Sequence, residues 1–272
     1  MDEHLVWHGY LLSHHDDFTV IQSPFTLNGA RVFGADSDPT TLAVAALMHR
    51  IGVESVTRVS VPEGMDGETL TAACGVEVAT EDDLDDCPWD LMLSDEAVVV
   101  LAKQGAEVTV PQLDVSVPVV HDEHDALEQA WAKELHLQHV SQGAFVSEAA
   151  YVEGAEARLA MRGQQNGDSI VWPPRYGDRS TSVVTGMKPT GRVVSWTVLS
   201  AAGAPSEFAL RAPLLGGLST VLLRLDDGPN GVFLLVDDED HDVTMEAPVE
   251  LVLRRLYAQE GFMRYGLKGR LV

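Results

Sequence analysis

The sequence predicts an α+β chain of two domains: an acidic α/β domain over residues 1–145 and an all-β domain over residues 191–272, joined by a connector over residues 146–190. After Gly191, short β-branched and aromatic runs are separated by Gly, Pro, Asp and Asn at roughly ten-residue spacing, a pattern typical of a small sandwich or barrel. Upstream, strand-like and helix-like segments alternate, as in an α/β layer. A length of 272 residues is sufficient for two domains.

The first elements are predicted from turn and capping residues. Apolar runs on either side of His14–Asp17 predict a hairpin. From Arg31 the pattern predicts a strand, a turn and a helix, with Asp38 as the N-cap, Pro39 in the first turn and Gly52 at the end. The residues of this helix that are predicted to share one face are Leu42, Ala45, Ala46 and His49.

The next segments continue the alternation of strands and helices. Residues 53–61 predict a strand and residues 67–75 a short helix. Residues 89–110 predict a strand, a helix that Gly105 ends, and a further strand. Residues 121–140 predict a helix whose inward residues are Leu127, Ala130, Trp131 and Leu135. Such alternation predicts a largely parallel sheet for this half of the chain.

The charge of the chain is strongly negative and unevenly distributed. The net charge is -24, and only four of the 18 basic residues are lysines. This composition resembles proteins adapted to a high-salt cytoplasm, as in halophilic archaea, although an ordinary acidic mesophilic protein is the alternative. Residues 1–150 hold 27 acidic and 5 basic residues, whereas residues 151–272 hold 15 and 13. The nearly neutral half therefore suits a surface that is covered by a partner or that binds an anion. The negative electrostatic field of the whole chain disfavours binding to nucleic acid.

Further features predict a cytoplasmic protein that is not bound to a membrane. No run approaches the ~20 consecutive apolar residues that span a bilayer. The acidic N-terminus lacks the basic segment and apolar core of a signal peptide. Cys74 and Cys87 are the only cysteines, without metal or redox spacing, so we expect two free thiols.

Three segments carry a family resemblance: Ser169–Arg175 (SIVWPPR), Gly191–Val198 (GRVVSWTV) and Tyr265–Arg270 (YGLKGR). In order and spacing they resemble the zinc-ribbon/OB-fold proteins that accompany thiolases and hydroxymethylglutaryl-CoA synthase in archaea and bacteria. The resemblance implies an OB-fold barrel over residues 191–272, preceded by a ribbon-like segment. It leaves open whether the N-terminal half is a degenerate thiolase-like half or an unrelated α/β domain.

The ribbon departs from the family pattern at its metal ligands. In the family, two Cys-x-x-Cys pairs bracket the Pro-Pro-Arg signature and bind zinc. Here the corresponding stretches are Gln164–Gly167 and Asp178–Thr181, and residues 151–272 contain no cysteine. A tetrahedral thiolate site therefore cannot form. We expect a degenerate ribbon without zinc, held by packing of Trp172, Pro173 and Pro174.

The resemblance implies a non-catalytic accessory subunit of a thiolase-fold enzyme, of the acetyl-CoA acetyltransferase or hydroxymethylglutaryl-CoA synthase type. Such a subunit would assist acyl-CoA binding or bridge subunits, with CoA as a shared ligand and no covalently bound cofactor. Guanidinium groups suit the phosphates of CoA. The candidates for contact with CoA or the partner are Arg175, Arg192, Arg255, Lys268 and Arg270. The alternative for each is an ion pair with a nearby acidic residue, such as Asp226, Asp227 or those of Asp237–Asp240.

The sequence is compatible with two other functions. Cys74 invites comparison with the thiolase nucleophile, which lies at a helix start, and would make the chain a stand-alone acyl-CoA-processing enzyme. A buried apolar cysteine is the alternative for this residue, and a small-ligand scaffold module is the third function. The clusters His14–Asp17 and His121–His124 contain metal-ligating residue types, but two short clusters without a third partner favour solvated turns, so no metal site is predicted.

Overall fold

The computed structural model describes residues 5–80, 86–94, 96–137, 158–173, 184–239, 242–259 and 261–272. The chain forms two compact units, Met1–His121 and Asp122–Val272. The domain boundaries predicted near residues 145 and 190 remain predictions, and the first of them lies outside the described residues. The chain is a β-rich mixture of helices and mostly antiparallel sheets.

The first unit is built on a five-stranded sheet. The strands of this unit are β1 (Leu5–Trp7), β2 (Tyr10–His14), β3 (Phe18–Gln22), β4 (Phe25–Leu27), β5 (Ala30–Arg31), β6 (Arg58–Val59), β7 (Glu77–Val78), β8 (Trp89–Ser94), β9 (Val98–Lys103) and β10 (Val117–Pro118). The main sheet has the order β1-β2-β3-β9-β8, and every neighbouring pair in it is antiparallel. The prediction of a largely parallel sheet was therefore wrong. Among the described strands of this unit, parallel pairing is confined to the two-residue pairs β4–β10 and β6–β7.

The source of that error is strand β9, which the sequence predicted as a helix. Val98, Val99 and Val100 are β-branched and buried, and such side chains lose rotamer freedom in a helix but pack well on a pleated sheet. In the structure β9 lies between β3 and β8, so both of its edges are hydrogen-bonded. The connection from β8 is a tight hairpin rather than a crossover helix.

Two helices accompany this sheet, α1 (Pro39–Ile51) and α2 (Gly67–Cys74). The predicted cap of α1 is confirmed: Asp38 Oδ1 accepts from the Thr41 N–H at 3.0 Å, while Thr41 Oγ1 accepts from the Asp38 N–H at 3.0 Å. This reciprocal capping box satisfies two backbone donors at the helix start. Gly52 follows the last helical residue, as predicted.

The predicted hairpin at His14–Asp17 is also confirmed, because β2 and β3 pair across this turn. Buried Arg50 on α1 fastens the turn by donating to the carbonyl oxygens of His15 (2.6 Å) and Asp16. The same guanidinium pairs with Glu54 at 2.5 Å and lies 4.8 Å above the ring of Trp89. One cation therefore ties the helix to the hairpin and to strand β8.

The second unit contains helices α3 (His121–Leu135) and α4 (Arg211–Leu214). Its strands are β11 (Arg162–Asn166), β12 (Ser169–Val171), β13 (Val184–Gly186), β14 (Thr190–Leu199), β15 (Leu218–Leu225), β16 (Asn230–Leu234), β17 (Pro248–Gln259) and β18 (Phe262–Leu271). Strands β12-β11-β13 form a small antiparallel sheet. Helix α3 begins at its predicted residue and buries Leu127, Ala130 and Trp131.

The larger sheet of this unit has the strand order β16-β15-β14-β17-β18, with every neighbouring pair antiparallel. Its two outer strands approach each other, since Leu235, just after β16, forms a parallel bridge with Gly269 of β18. The Val236 N–H donates to the Gly269 carbonyl at 3.1 Å. The sheet therefore closes around its apolar face, which buries Val193, Val221, Leu223, Leu251, Leu253 and Leu267.

Removing the α1 cap should measurably destabilise the first unit. Asp38→Ala leaves the Thr41 N–H without its acceptor, and loss of an N-cap typically costs about 1 kcal/mol. Urea unfolding followed by tryptophan fluorescence measures the change in free energy of unfolding. Glu63→Ala, which removes an exposed carboxylate from the same unit, is the control for lost charge. Equal stability of the two variants would contradict a capping role.

Candidate partner-binding surface

Strand β14 ends in a run of exposed residues that includes the apolar side chains of Trp196, Val198 and Leu199. Residues Ser195–Leu199, which we name the β14 edge segment, pair with β15. Strand β17, the other neighbour of β14, pairs only with Thr190–Arg192. Within the part of the chain that the structure describes, the second edge of the segment therefore has no paired strand.

Side chains on both faces of the β14 edge segment are exposed. Trp196 is 43% exposed and Val198 57%. The register places Trp196 beside Val221, which in turn lies beside Phe233, and both of these neighbours are buried. Trp196 therefore lies on the core-facing side of the sheet, and β17 does not extend beside it, because β17 begins at Pro248, opposite Arg192.

The connection that follows the segment is held in place by a buried carboxylate. Between β14 and β15 the chain makes an excursion over residues 200–217 that includes α4. Glu134 Oε1, on α3, accepts from the backbone N–H groups of Leu210 (3.0 Å) and Arg211 (3.1 Å). Glu134 Oε2 accepts from Arg211 Nε at 2.6 Å. The Glu134 carboxylate thus holds both the backbone and a side chain of the excursion. Its own side chain is fully buried.

Arg211 continues this contact into a buried network of alternating charge. Its Nη1 donates to Asp237 Oδ2 at 2.9 Å, and Lys268 Nζ donates to Asp237 Oδ1 at 2.6 Å. The Arg211 guanidinium carbon lies 3.4 Å from the ring centroid of Trp131. We name these residues the Arg211 network: Trp131, Glu134, Arg211, Asp237 and Lys268. Because the charges are buried, each needs these partners to offset its lost hydration.

The candidate cations predicted from the sequence are distributed among several environments. Lys268 lies in the Arg211 network and its side chain is fully buried. Arg255 donates to Glu128 at 2.7 Å and lies 4.7 Å from the Trp131 ring. The structure therefore brings these two together around one tryptophan, each in an ion pair within the protein.

The remaining candidates lie elsewhere. Arg270 pairs with Glu250 at 2.6 Å across β17 and β18. Arg192 is exposed, and its Nη1 donates to the carbonyl oxygen of Glu246 at 3.0 Å. Arg175 lies outside the described residues. Contact of these five residues with CoA stays a prediction, and Arg192 is the exposed one among the four that are described.

One member of the network that was not predicted, Glu134, has a recognisable signal in the sequence. Glu134 stands three and four residues after Trp131 and Ala130, on the same helical face as Leu127. A carboxylate at a core-facing position indicates a buried partner cation. The partner, Arg211, lies 77 positions further along the chain, so no residue pattern near Glu134 identifies it.

The two cysteines are buried, and neither lies at a helix start. Cys74 is the last residue of α2, with its Sγ 3.9 Å from the carbonyl oxygen of Val44. The comparison with a nucleophile at a helix N-terminus was wrong on this point, because Cys74 lies at the end of the helix where the dipole does not favour an anion. Cys87 Sγ donates to the carbonyl oxygen of Trp89 at 3.3 Å.

The first of the two stretches that replace family cysteines forms a hydrogen-bonded turn. Gln165 Nε2 donates to the carbonyl of Gly167 at 2.6 Å, and Ser169 Oγ donates to that of Asn166 at 3.0 Å. Amides and hydroxyls do not fit a structural zinc ion, which prefers thiolate and imidazole. Trp172 stacks on Phe233 with centroids 5.7 Å apart, whereas Pro174 and the stretch Asp178–Thr181 lie outside the described residues.

The two histidine clusters lie at the turn between β2 and β3 and at the start of α3. Within the residues that are described, no group of three His, Cys, Asp or Glu side chains is placed to hold a metal ion. His14 instead packs edge-on against His49, with ring centroids 5.0 Å apart. Burial lowers the pKa of His49, and the nearby charges of His14 and Arg50 lower it further. The pKa of His14 is lowered by burial and then by Arg50 and His15, against the opposing effect of Asp16 and Glu54.

Comparison with known proteins gives few matches. No protein-family profile and no curated protein matches the chain. Among solved structures, a chain described as "Ltp2-ChsH2(DUF35) aldolase" is 18% identical with a TM-score of 0.30, and the match covers 46% of this chain and 97% of that chain. A likeness with this TM-score carries no argument about fold or function. In the described residues no helix is both long and apolar enough to cross a membrane.

Truncation of Glu134 should strongly destabilise the second unit. Glu134→Ala removes the acceptor of three hydrogen bonds and leaves buried Arg211 with one carboxylate fewer. Breaking a buried ion pair costs about 3–5 kcal/mol. Denaturant unfolding gives the change in free energy, with Glu123→Ala, an exposed glutamate of the same helix, as the matched control. A loss no larger than that of the control would show that the network is not stabilising.

The first unit should lose stability as the pH falls below about 6.5. The folded pKa values of His14 and His49 lie below their ordinary value of 6.5, so the unfolded chain binds protons first and is favoured as pH decreases. His49→Gln should flatten the dependence of the unfolding free energy on pH between 7 and the lower folded pKa values. An unchanged slope in chemical denaturation across this range would rule the pair out as its source.

Proposed function

We propose that the chain is a non-catalytic accessory subunit that docks onto a thiolase-fold catalytic subunit, of the acetyl-CoA acetyltransferase or hydroxymethylglutaryl-CoA synthase type. The observation that carries the proposal is the exposed β14 edge segment, Ser195–Leu199. It belongs to the strand Gly191–Val198 that resembles the first barrel strand of the thiolase-associated proteins. A strand that is both part of the signature and left uncovered is the natural docking element.

The architecture of the second unit supports an OB-type barrel. Five antiparallel strands in the order β16-β15-β14-β17-β18, with the outer two meeting at Leu235 and Gly269, suit a small closed Greek-key barrel. The long excursion between its first two strands, residues 200–217, corresponds to a loop that such barrels use for binding. Leu210 and Leu214 are exposed on this excursion.

Charge distribution supports docking through this part of the chain. With a net charge of -24, most of the surface carries carboxylates that bind water and counterions. A contact made through such a surface would require their desolvation, which is costly. The uncharged β14 edge segment avoids this cost, so binding energy is available from apolar burial.

We further propose that acyl-CoA is a shared ligand of the complex, in acyl-CoA or mevalonate metabolism in the cytoplasm. The exposed guanidinium of Arg192 precedes the edge segment on β14 and suits a phosphate group near the interface. The ion pairs of Arg255, Lys268 and Arg270 make them structural supports in this proposal. Cys74 is buried at a helix end, so no observation favours the stand-alone enzyme.

An acidic residue in the edge segment should prevent complex formation. Trp196→Asp places a charge in the contact and removes its largest apolar side chain, so the affinity for the partner should fall at least about tenfold, equivalent to 1.4 kcal/mol. The measurement is calorimetric titration with the acetyl-CoA acetyltransferase and the hydroxymethylglutaryl-CoA synthase of the same cells, each purified. Val184→Asp, at an exposed valine of β13, is the matched control.

The outcomes separate the candidate functions. A wild-type chain that binds neither enzyme overturns the proposed function. If the Trp196→Asp variant binds as tightly as wild type, the β14 edge segment is not the docking surface, but the proposed partner still stands. Titration of the chain and of the complex with CoA and acetyl-CoA then distinguishes an acyl-CoA-associated subunit from a scaffold without a CoA ligand.

A further inference from the structure

The hydrogen-bond pattern of β15 determines which groups of the β14 edge segment are free. The Leu235 N–H donates to the carbonyl of Ser219 at 3.0 Å, so Ser219 directs its backbone groups toward β16. Alternate residues of an antiparallel strand direct these groups to opposite sides. Leu218 and Thr220 therefore direct theirs toward β14, where they pair with Leu199 and Thr197.

The same alternation applies along β14. Because Thr197 and Leu199 direct their N–H and C=O groups toward β15, Trp196 and Val198 direct theirs away from it. A β-bulge between Val193 and Ser195 shifts the alternation by one residue. Val193 therefore also directs its groups away from β15, where it exchanges hydrogen bonds with Glu246 and Ala247. Past Val193 the described residues place no strand on that side, so Trp196 and Val198 present two donors and two acceptors at an unpaired edge.

Trp196 and Val198 carry two of the exposed apolar side chains of the segment, 43% and 57% exposed. Both side chains project to one face because the residues are two apart in a strand, whereas exposed Leu199 projects to the other. On the face of Trp196 and Val198, the free backbone groups and the uncovered apolar surface thus belong to the same two residues. This combination matches what an added β-strand requires: main-chain pairing for affinity and alternate side-chain contacts for specificity.

The edge lacks the charges and prolines that commonly protect a strand from pairing. The 14 residues from Val193 to Ser206 carry no charge, and β14 contains no proline. Natural edge strands are protected by lysines, inward charges, prolines, bulges or covering segments, because an unprotected edge pairs with other chains. The bulge of β14 lies before the segment, so Ser195–Leu199 pair with β15 in regular register. An edge without charge or proline in so highly charged a chain therefore suits being paired.

We propose that an extended segment of the partner adds to β14 as a further strand, hydrogen-bonded to Trp196 and Val198. The inference rests on the proposed function for the partner's identity and adds the mode of contact. A second copy of this chain is the less favoured occupant, because each copy has a net charge of -24 and like charge of this size opposes self-association.

The chemistry of the edge defines the segment that fits it. The added strand must be extended, must offer a backbone N–H and C=O at alternate positions, and must have no proline at those positions. Its residues on the face of Trp196 and Val198 should be apolar, since burial there is worth about 25 cal/mol per Å². Acidic residues on that face of the added strand would be unfavourable. They would lose their hydration, and residues 193–206 contain no cation to pair with them.

Amide hydrogen exchange tests the inference without any substitution. In the free chain the Trp196 and Val198 amides should exchange fast and the Thr197 amide slowly, because only Thr197 donates to β15. On saturation with whichever purified enzyme binds the chain, the Trp196 and Val198 amides should slow at least about tenfold. Unchanged exchange at both amides in the complex overturns strand addition while leaving the docking of the two proteins intact.

A proline pair provides an independent test. Val198→Pro removes an edge N–H but keeps an apolar side chain, and edge positions tolerate proline. Val232 of β16 pairs with Leu222 and is 69% exposed. By the same alternation it directs its N–H away from β15, so Val232→Pro is the matched edge proline on the same sheet. Val198→Pro should weaken calorimetric binding at least tenfold, and Val232→Pro should stay within about twofold of wild type.

Each outcome of the proline experiment is informative. Equal affinity of Val198→Pro and wild type contradicts strand addition. If circular dichroism shows that Val198→Pro does not fold, the exchange measurement on the wild-type chain decides. If sedimentation shows a wild-type dimer that the catalytic subunit does not dissociate, and the same two amides are protected in it, the occupant is a second copy and the proposal is wrong. If neither enzyme binds the wild-type chain, the proposed function itself is wrong, and this result differs from every outcome that contradicts only strand addition.

Discussion

The second unit depends on the position of Arg211, whose guanidinium lies between Glu134 and Asp237 and over the ring of Trp131. Burial of an isolated guanidinium would be prohibitively costly, so the carboxylates, the ring and the neighbouring Lys268 must all be in place before the core can close. These groups come from α3, the excursion and the closed sheet. The network therefore ties the helix to the barrel through buried charges that depend on one another.

Local chemistry determined which elements the sequence could predict. The start of α1 was predictable because Asp38, Pro39 and Thr41 satisfy the helix terminus within four residues of chain. Strand β9 was not, because its valine run suits a buried strand and the predicted helix alike, and its pairing with β3 and β8 decides the outcome. The first sheet is antiparallel because β9 pairs with β3 and β8. No local sequence pattern predicts that pairing.

The candidate surface was predictable only in part, for similar reasons. The resemblance identified strand Gly191–Val198, but the exposure of Trp196 depends on where β17 begins, at Pro248. The cations were identified as charged residues in or beside strands, yet whether a charge faces solvent depends on acids distant in sequence, as Lys268 and Asp237 show. Glu134 offered the one local clue to the network, a carboxylate at a core-facing helical position.

The unpaired edge of β14 has a consequence for how the chain is supplied in the cell. If the chain is an accessory subunit as proposed, a copy without its partner would expose a strand edge that no charge or proline protects, and exposed edges are prone to mispairing and proteolytic clearance. Under that proposal, synthesis of the two subunits in matched amounts would remove this hazard. The dense carboxylate surface offers a second safeguard, since it keeps newly made copies hydrated and apart until the edge is covered.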